Sequence, residues 1–205
     1  MRISEQARQD NRARILERAA ELFCERGFEA TTTRDVAVAS GVAAGTLFNY
    51  FPTKETLGMT LVAEALAQGA DDHRRRCTGD EDLTEDLFLL IASGLRQLRP
   101  LRPFLGPVLE RSLSPFPRKT VCPEGEAARE AHLAAVANLL GRHGFAPRLD
   151  PVVIALYWSL YLGILACWTS DPSPNQEATR ALIDYSLRLF AQVICGAEPG
   201  GDDGR

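Results

Sequence analysis

The sequence predicts an all-α protein, a short helix-turn-helix domain at the N-terminus followed by a larger helical domain. Three observations carry this. Apolar residues recur at helical spacing along nearly the whole chain, with no alternating run that would suit a strand and no internal repeat. Caps, glycines and prolines punctuate that pattern into about nine helices. Near the N-terminus, two short helical patterns are joined by Ser40-Gly41-Val42-Ala43, a connection that suits a helix-turn-helix.

Each element follows from its residues. In the first helix Ile15, Ala19, Leu22 and Phe23 form one apolar stripe. Gly27 ends it where a left-handed residue is wanted, and Phe28 folds back on the last turn. Thr32 opens the second helix, with Asp35 three residues on completing a capping box, and Val36 and Ala37 facing inward. The third helix covers Ala44 to Tyr50 and stops because Pro52 pushes Phe51 out of the helical region. Thr53 caps a fourth helix running towards Arg76. After a polar hinge from Cys77 to Asp82, the residues Leu83, Leu87, Leu90, Ile91, Leu95 and Leu98 make a fifth stripe. Pro100, Pro103 and Pro107 confine the next helix to a short, kinked piece ending near Leu113, and Ser114 to Gly125 is expected to be loop. Helix resumes over 126–143, with Leu133, Val136 and Leu140 inward and Gly144 closing it. Asp150-Pro151 is an N-cap followed by a first-turn proline, and Ser173-Pro174-Asn175-Gln176 repeats the device with a Ser-x-x-Gln capping box. The last helix carries Leu182, Tyr185, Leu189 and Val193 on one face and ends at Gly196, leaving 197–205 as a disordered tail.

Composition narrows the function. A chain of 205 residues with 45% hydrophobic content supports a real core. The net charge of −4 is not that of a general nucleic-acid binder. Residues 1–54 carry eight Lys and Arg against seven Asp and Glu, and the remainder 15 against 20, so any DNA contact must be local to the first part. Five scattered cysteines, an odd number without a Cys-x-x-Cys pair, point to a reducing cytoplasm and to no disulfide framework. The polar first 14 residues do not read as a signal peptide. Val152 to Trp168 is a 17-residue apolar run, at the lower limit of a membrane span. Asp150 and Asp171 flank it instead of basic residues, so burial between protein surfaces is expected and no membrane.

The helix-turn-helix carries the chemistry. Gly41 permits the sharp turn, Val42 plugs the junction, and Leu47 and Phe51 dock the third helix on the first. That leaves Ala43, Ala44, Thr46, Phe48, Asn49 and Tyr50 outward, a mix of small, hydrogen-bonding and aromatic groups suited to the DNA major groove. The run from Arg14-Ile15-Leu16 through Ala20-Glu21-Leu22-Phe23, Gly27-Phe28-Glu29-Ala30-Thr31-Thr32-Thr33-Arg34-Asp35-Val36-Ala37 and Ser40-Gly41-Val42-Ala43-Ala44-Gly45-Thr46-Leu47-Phe48-Asn49-Tyr50-Phe51-Pro52-Thr53-Lys54 to Leu57 closely resembles the DNA-binding domain of TetR-family transcriptional regulators. The resemblance covers roughly residues 8–60.

It implies a homeodomain-like three-helix reader over 1–54 and a helical ligand-binding and dimerisation domain over 55–196. Position by position, Thr33 and Arg34 match DNA-touching places at the start of the second helix. Thr46, Phe48, Asn49 and Tyr50 match the reading helix, and Lys54 matches a common phosphate contact. Chemically, Thr33, Tyr50 and Lys54 suit positioning on the backbone. Arg34 suits guanine, Asn49 adenine and Phe48 a thymine methyl. The chain departs from the family where many relatives have Ser-Lys in place of Ala43-Ala44, and Tyr in place of Phe48. Arg8, Arg12 and Arg14 are candidates to supply the missing phosphate charge.

The resemblance also implies a ligand cavity among the later helices, for an unidentified small apolar or amphipathic molecule. Phe88, Phe104, Trp158 and Tyr161 are candidates to line it, and Arg96 and His132 to orient a ligand within it. Partners are then double-stranded operator DNA and a second copy of the chain, paired through 151–168 and 174–195 as a four-helix bundle. His73 and Cys77 stand four apart on one helix face, with Asp72 the only obvious addition, so no metal and no cofactor is expected. Arg74, Arg75 and Arg76 read as a solvated helix end. The sequence holds no Gly-x-Ser-x-Gly, phosphate-binding glycine loop or His-Glu-x-x-His, so an enzyme is not expected. The resulting expectation is a ligand-released repressor, with an architectural or adaptor DNA-binding protein, or an enzyme, as the alternatives.

Overall fold

The computed structural model of the chain describes residues 5–113, 122–145 and 150–196. Among them are nine α-helices and no strand: α1 (Glu5–Arg26), α2 (Thr33–Ala39), α3 (Ala44–Tyr50), α4 (Lys54–Arg76), α5 (Leu83–Leu98), α6 (Arg102–Ser112), α7 (Pro123–Arg142), α8 (Pro151–Ser170) and α9 (Glu177–Gly196). The expected tail 197–205 and most of the expected loop, residues 114–121, lie outside the described residues. The helices divide into two compact units, one drawn from Met1–Ala67 and Gln97–Glu130, the other from Gln68–Arg96 and Ala131–Arg205. Thus α4 gives its first part to one unit and its second part to the other.

In the first unit, α1 presents the stripe that its spacing implies, with Ile15, Ala19, Leu22 and Phe23 buried. Phe23 lies 5.0 Å from the Phe28 ring and 5.2 Å from that of Phe104 on α6, so the aromatic core joins the end of α1 to α6. Gly27 closes α1 with φ +84°, the left-handed conformation that glycine adopts without strain. The Thr31 hydroxyl donates to the carbonyls of Gly27 and Leu22 at 2.9 and 3.2 Å, which secures the following turn.

In the second unit, α4 and α5 cross at glycine. A Cβ on Gly69 would stand 2.7 Å from the Gly94 Cα, so the two backbones approach closer than any larger residue permits. Along α8, Tyr157, Tyr161, Ile164, Leu165 and Trp168 are buried, and along α9 Ile183, Leu187, Phe190 and Ile194. The two helices pack on each other. Among the described residues α8 is the one helix long and apolar enough to cross a membrane. Only one of its faces is buried within the chain; Val152, Ala155, Ser159, Gly163 and Ala166 on the other are exposed.

Two elements differ from expectation. First, α7 begins at Pro123 rather than at 126, because a proline at the first helical position needs no N–H and has its φ already set. Second, Ser173 and Gln176 form no capping box: Asn175 and Gln176 take φ +52° and +56°, which interrupts the helix, and α9 starts at Glu177. Gln176 turns its side-chain oxygen to the Trp168 indole N–H at 3.0 Å. Capping is shared: the Ser173 hydroxyl accepts from the Ala178 N–H at 3.1 Å, and Asp171 accepts from the backbone N–H and hydroxyl of both Ser173 and Thr179. Those bonds hold its carboxyl well below the ordinary range. On α9 the Tyr185, Leu189 and Val193 face points away from its own chain, with exposures of 72%, 44% and 37%.

Gly69→Ala is expected to destabilise the protein by about 1–3 kcal/mol, since the crossing backbones must separate to admit a methyl group. Urea unfolding followed by circular dichroism measures it.

Candidate nucleic-acid interface

The helix-turn-helix is built from α2 and α3, and its stability is local. Thr32 caps α2 through its hydroxyl, which accepts from the Asp35 N–H at 3.2 Å. Asp35 returns the bond, accepting from the Thr32 N–H at 2.9 Å. The Thr32 hydroxyl also donates to that carboxylate, and these bonds together hold the Asp35 carboxyl below its ordinary value. Gly41 takes φ +66° at the turn, and the Val42 N–H reaches back to the Ala37 carbonyl at 3.0 Å. Leu47 on the seven-residue α3 and Phe51 at its C-cap are buried to 0% and 2% exposure, so one face of the helix is committed to the core. Arg12 on α1 lies over the Phe51 ring, 5.8 Å from its centroid.

The opposite face is open. Phe48 is 50% exposed, Asn49, Ala43 and Ala44 are exposed, and Thr46 and Tyr50 are half-buried. On α2 Arg34 is exposed and Thr33 half-buried. Arg34 makes no hydrogen bond or ion pair with the described residues, so its guanidinium can be spent on an outside partner. Val42 remains half-buried at the junction. Ala43 provides no side-chain bond to the N-terminus of α3.

Three cations expected at the DNA backbone have internal partners. Lys54 donates to the carbonyls of Phe28 and Glu29 at 2.6 and 3.2 Å, with its ammonium 4.5 Å from the centre of the Phe28 ring, which leaves one of its three N–H donors. Arg12 pairs with Glu64 at 2.7 Å, and Arg14 donates to the Ser40 carbonyl at 3.0 Å, tying α1 to the turn. Arg8 is exposed. The basic end of α4 is partly neutralised, Arg74 by Asp71 and Arg75 by Asp72.

The ligand candidates separate between the units. Phe104 is buried in the first, against Phe23. Phe88 is half-buried in the second, and Arg96 is exposed rather than set among apolar neighbours. Trp158 and Tyr161 gather round His132, whose ring stacks on Tyr161 at 4.0 Å and lies 6.3 Å from Trp158. The His132 Nε2 shares a hydrogen bond of 3.0 Å with the Tyr157 hydroxyl. Burial lowers the imidazole to about 4, so it is neutral at physiological pH, and burial raises both tyrosine hydroxyls.

A second polar cluster escaped the sequence reading. Asp86, and not Asp72, meets His73 and Cys77, and His143 and Arg142 reach the same carboxylate. The available signal was phase: Asp86 stands three residues after Leu83 and one before Leu87, on the stripe that faces the core. His143 comes from just past the C-terminal end of α7, a proximity that no local pattern encodes.

An all-helical chain with a capped helix-turn-helix, a buried anchor beneath its second helix and an open polar and aromatic face is a DNA-binding regulator in class. Residues 15–57 match the family model described as bacterial regulatory proteins, tetR family. The transcriptional repressor KstR of Rhodococcus jostii is 39% identical over 196 residues, covering 91% of this chain and 86% of that one. The repressor KstR2 of the same organism is 48% identical over 46 residues, so the chain spans 22% of that relative's length. Among solved structures, Thermus thermophilus FadR in complex with lauroyl-CoA shares the fold, with a TM-score of 0.63 and 24% identity over 95% of this chain and 98% of that one. The chain belongs to the TetR family of helix-turn-helix transcriptional regulators.

The lowered His132 sets a pH dependence. Between about 4 and its ordinary 6.5 the unfolded chain binds a proton that the folded one refuses, so stability rises with pH across that window and falls as the medium is acidified. Thermal melts from pH 4.5 to 7 are expected to show that slope, and His132→Gln to flatten it.

Proposed function

We propose that the chain is a cytoplasmic homodimeric repressor, released from double-stranded operator DNA by a small apolar or amphipathic molecule. The observation that carries this reading is α3: it buries Leu47, with Phe51 buried at its C-cap, yet turns Phe48 and Asn49 outward, beside an exposed Arg34. A surface phenylalanine next to an asparagine on a helix this short has little use in a free monomer, and it suits a thymine methyl and an adenine edge. Residues 1–54 are the reading domain and 55–196 the ligand-binding and dimerisation domain. Arg34, Phe48 and Asn49 report base identity. Thr33, Ala43, Ala44, Thr46 and Tyr50 lie against the groove, and Lys54 offers its remaining donor to a phosphate while it holds the turn at Phe28.

The homodimer forms through 151–168 and 174–195. The exposed faces of α8 and α9, Val152 on one and Tyr185, Leu189 and Val193 on the other, support a four-helix bundle with a second copy. The reading helices then enter successive major grooves of a near-palindromic operator. The ligand sits by Phe88, Trp158 and Tyr161, with neutral His132 as the orienting group; Phe104 is assigned to the core of the first unit. Repression is supported by the name of the KstR relative, and an amphipathic ligand by the lauroyl-CoA bound in the FadR neighbour. The ligand acts by binding better to a dimer whose heads are wrongly spaced, and its effect is limited by that difference in affinity.

Fluorescence anisotropy on the chain's own upstream intergenic DNA against a shuffled duplex tests the reading. A preference of about 10³-fold or more is expected. Equal binding that fades steeply with salt indicates phosphate attraction alone and refutes sequence-specific control from that fragment. Arg34→Ala is expected to cost about 1–3 kcal/mol on the operator and to relax preference at one base position. Separately, the double variant Tyr185→Asp, Leu189→Asp is expected to elute at the 22.5 kDa chain mass in light-scattering chromatography, against twice that for the parent.

A further inference from the structure

We propose that His73, Cys77 and Asp86 form a binding site for a zinc-class divalent ion, with His143 and Arg142 holding Asp86 in position. The site lies within the second unit, where the end of α4, the start of α5 and the end of α7 converge. The Cys77 Sγ is 3.0 Å from the His73 Nε2 and 3.3 Å from the Asp86 Oδ1, and His73 and Asp86 are 2.7 Å apart. These three donor atoms lie within 4.8 Å of one another. The side chains of His73 and Asp86 are each 4% exposed, and Cys77 is half-buried, so an ion would be largely shielded from water while keeping a route of entry.

The donor types select the metal. Imidazole, thiolate and a single carboxylate oxygen form the mixed set that zinc and cobalt(II) take, and a thiolate is a poor ligand for magnesium or calcium. A tetrahedral ion with bonds of about 2.0–2.3 Å wants its ligands roughly 3.3–3.8 Å apart. The donors, now at hydrogen-bond separations, need to spread by about half an ångström, within the reach of small side-chain rotations. Binding displaces the protons that these bonds now share.

Two further contacts point the same way. Asp86 offers Oδ1 to His73 and Cys77, while its Oδ2 accepts from Arg142 and lies 2.9 Å from the His143 Nε2. One oxygen is turned inward and the other is held from behind, the arrangement by which outer partners orient a ligating carboxylate. A cluster serving only as a hydrogen-bond hub has little use for Cys77, since a thiol is a weak donor and a weak acceptor where serine would be strong in both roles. Three protein ligands leave a fourth position for water or a small donor molecule.

The test uses the full-length chain, stripped with EDTA under a phosphine reductant and titrated with cobalt(II). The expected result is saturation at one ion per chain, with visible bands of four-coordinate cobalt and a near-ultraviolet thiolate charge-transfer band, both erased by one equivalent of zinc. Cys77→Ser, checked for fold by circular dichroism, is expected to lose the charge-transfer band and to bind zinc at least about tenfold more weakly in chelator competition. His143→Gln is expected to keep the bands and weaken binding about tenfold. The proposal is overturned if the parent shows no saturable band at one equivalent. It is overturned equally if folded Cys77→Ser gives the parent's spectrum and affinity, which would place the ion at another of the five cysteines.

Discussion

The surface proposed to read DNA depends on burial of two residues beneath it. A seven-residue helix such as α3 cannot stand by itself in water, because nucleation costs more than so few hydrogen bonds return. Leu47 and Phe51 supply the missing stability by inserting into the core, and they fix the rotation of the helix as they do so. Once those two point inward, the positions of Phe48 and Asn49 follow from helical geometry. The capping box of Thr32 and Asp35 and the left-handed Gly41 set the path of the chain into this anchor. Arg14 and Lys54 then secure it from the sides, through the carbonyls of Ser40, Phe28 and Glu29.

The proposed reading domain, of nearly balanced charge, spends several of its cations internally. Arg12, Arg14 and Lys54 spend donors on holding the motif together, so fewer remain for phosphates. The proposed interface would then lean on base contacts and shape, with a shallow dependence on salt.

In the second unit, buried carboxylates organise what apolar packing leaves unspecified. Asp171 gathers four donors at the junction of α8 and α9, and Asp86 gathers groups from α4, α5 and α7. Burial would push Asp86 towards its neutral form, and the bonds from His143, Arg142 and His73 outweigh it, bringing the carboxyl down to about 2. Both clusters fix how neighbouring helices meet, because a charge in that position tolerates few alternative arrangements. The outward face of α8 and α9 carries Val152, Tyr185, Leu189 and Val193 in the open.

The sequence by itself determined the local features: the all-helical class, the position of nearly every helix, the capping box, the left-handed glycines and the rotation of α3. Each of these rests on residues within one or two turns of one another. Family membership was equally legible, since it is carried by one continuous run. Only the tertiary structure decided which of two apolar stripes on α9 faces its own chain, because Tyr185 and Ile183 differ in phase and not in character. It likewise decided that Asp171 joins Ser173 in capping α9, that Lys54 turns to Phe28, and that Asp86 and His143, 57 residues apart, meet. These are outcomes of competition among partners distant along the chain, and hydrophobic periodicity, which records only how often a residue returns to one face, holds no record of which distant side chain will be waiting there.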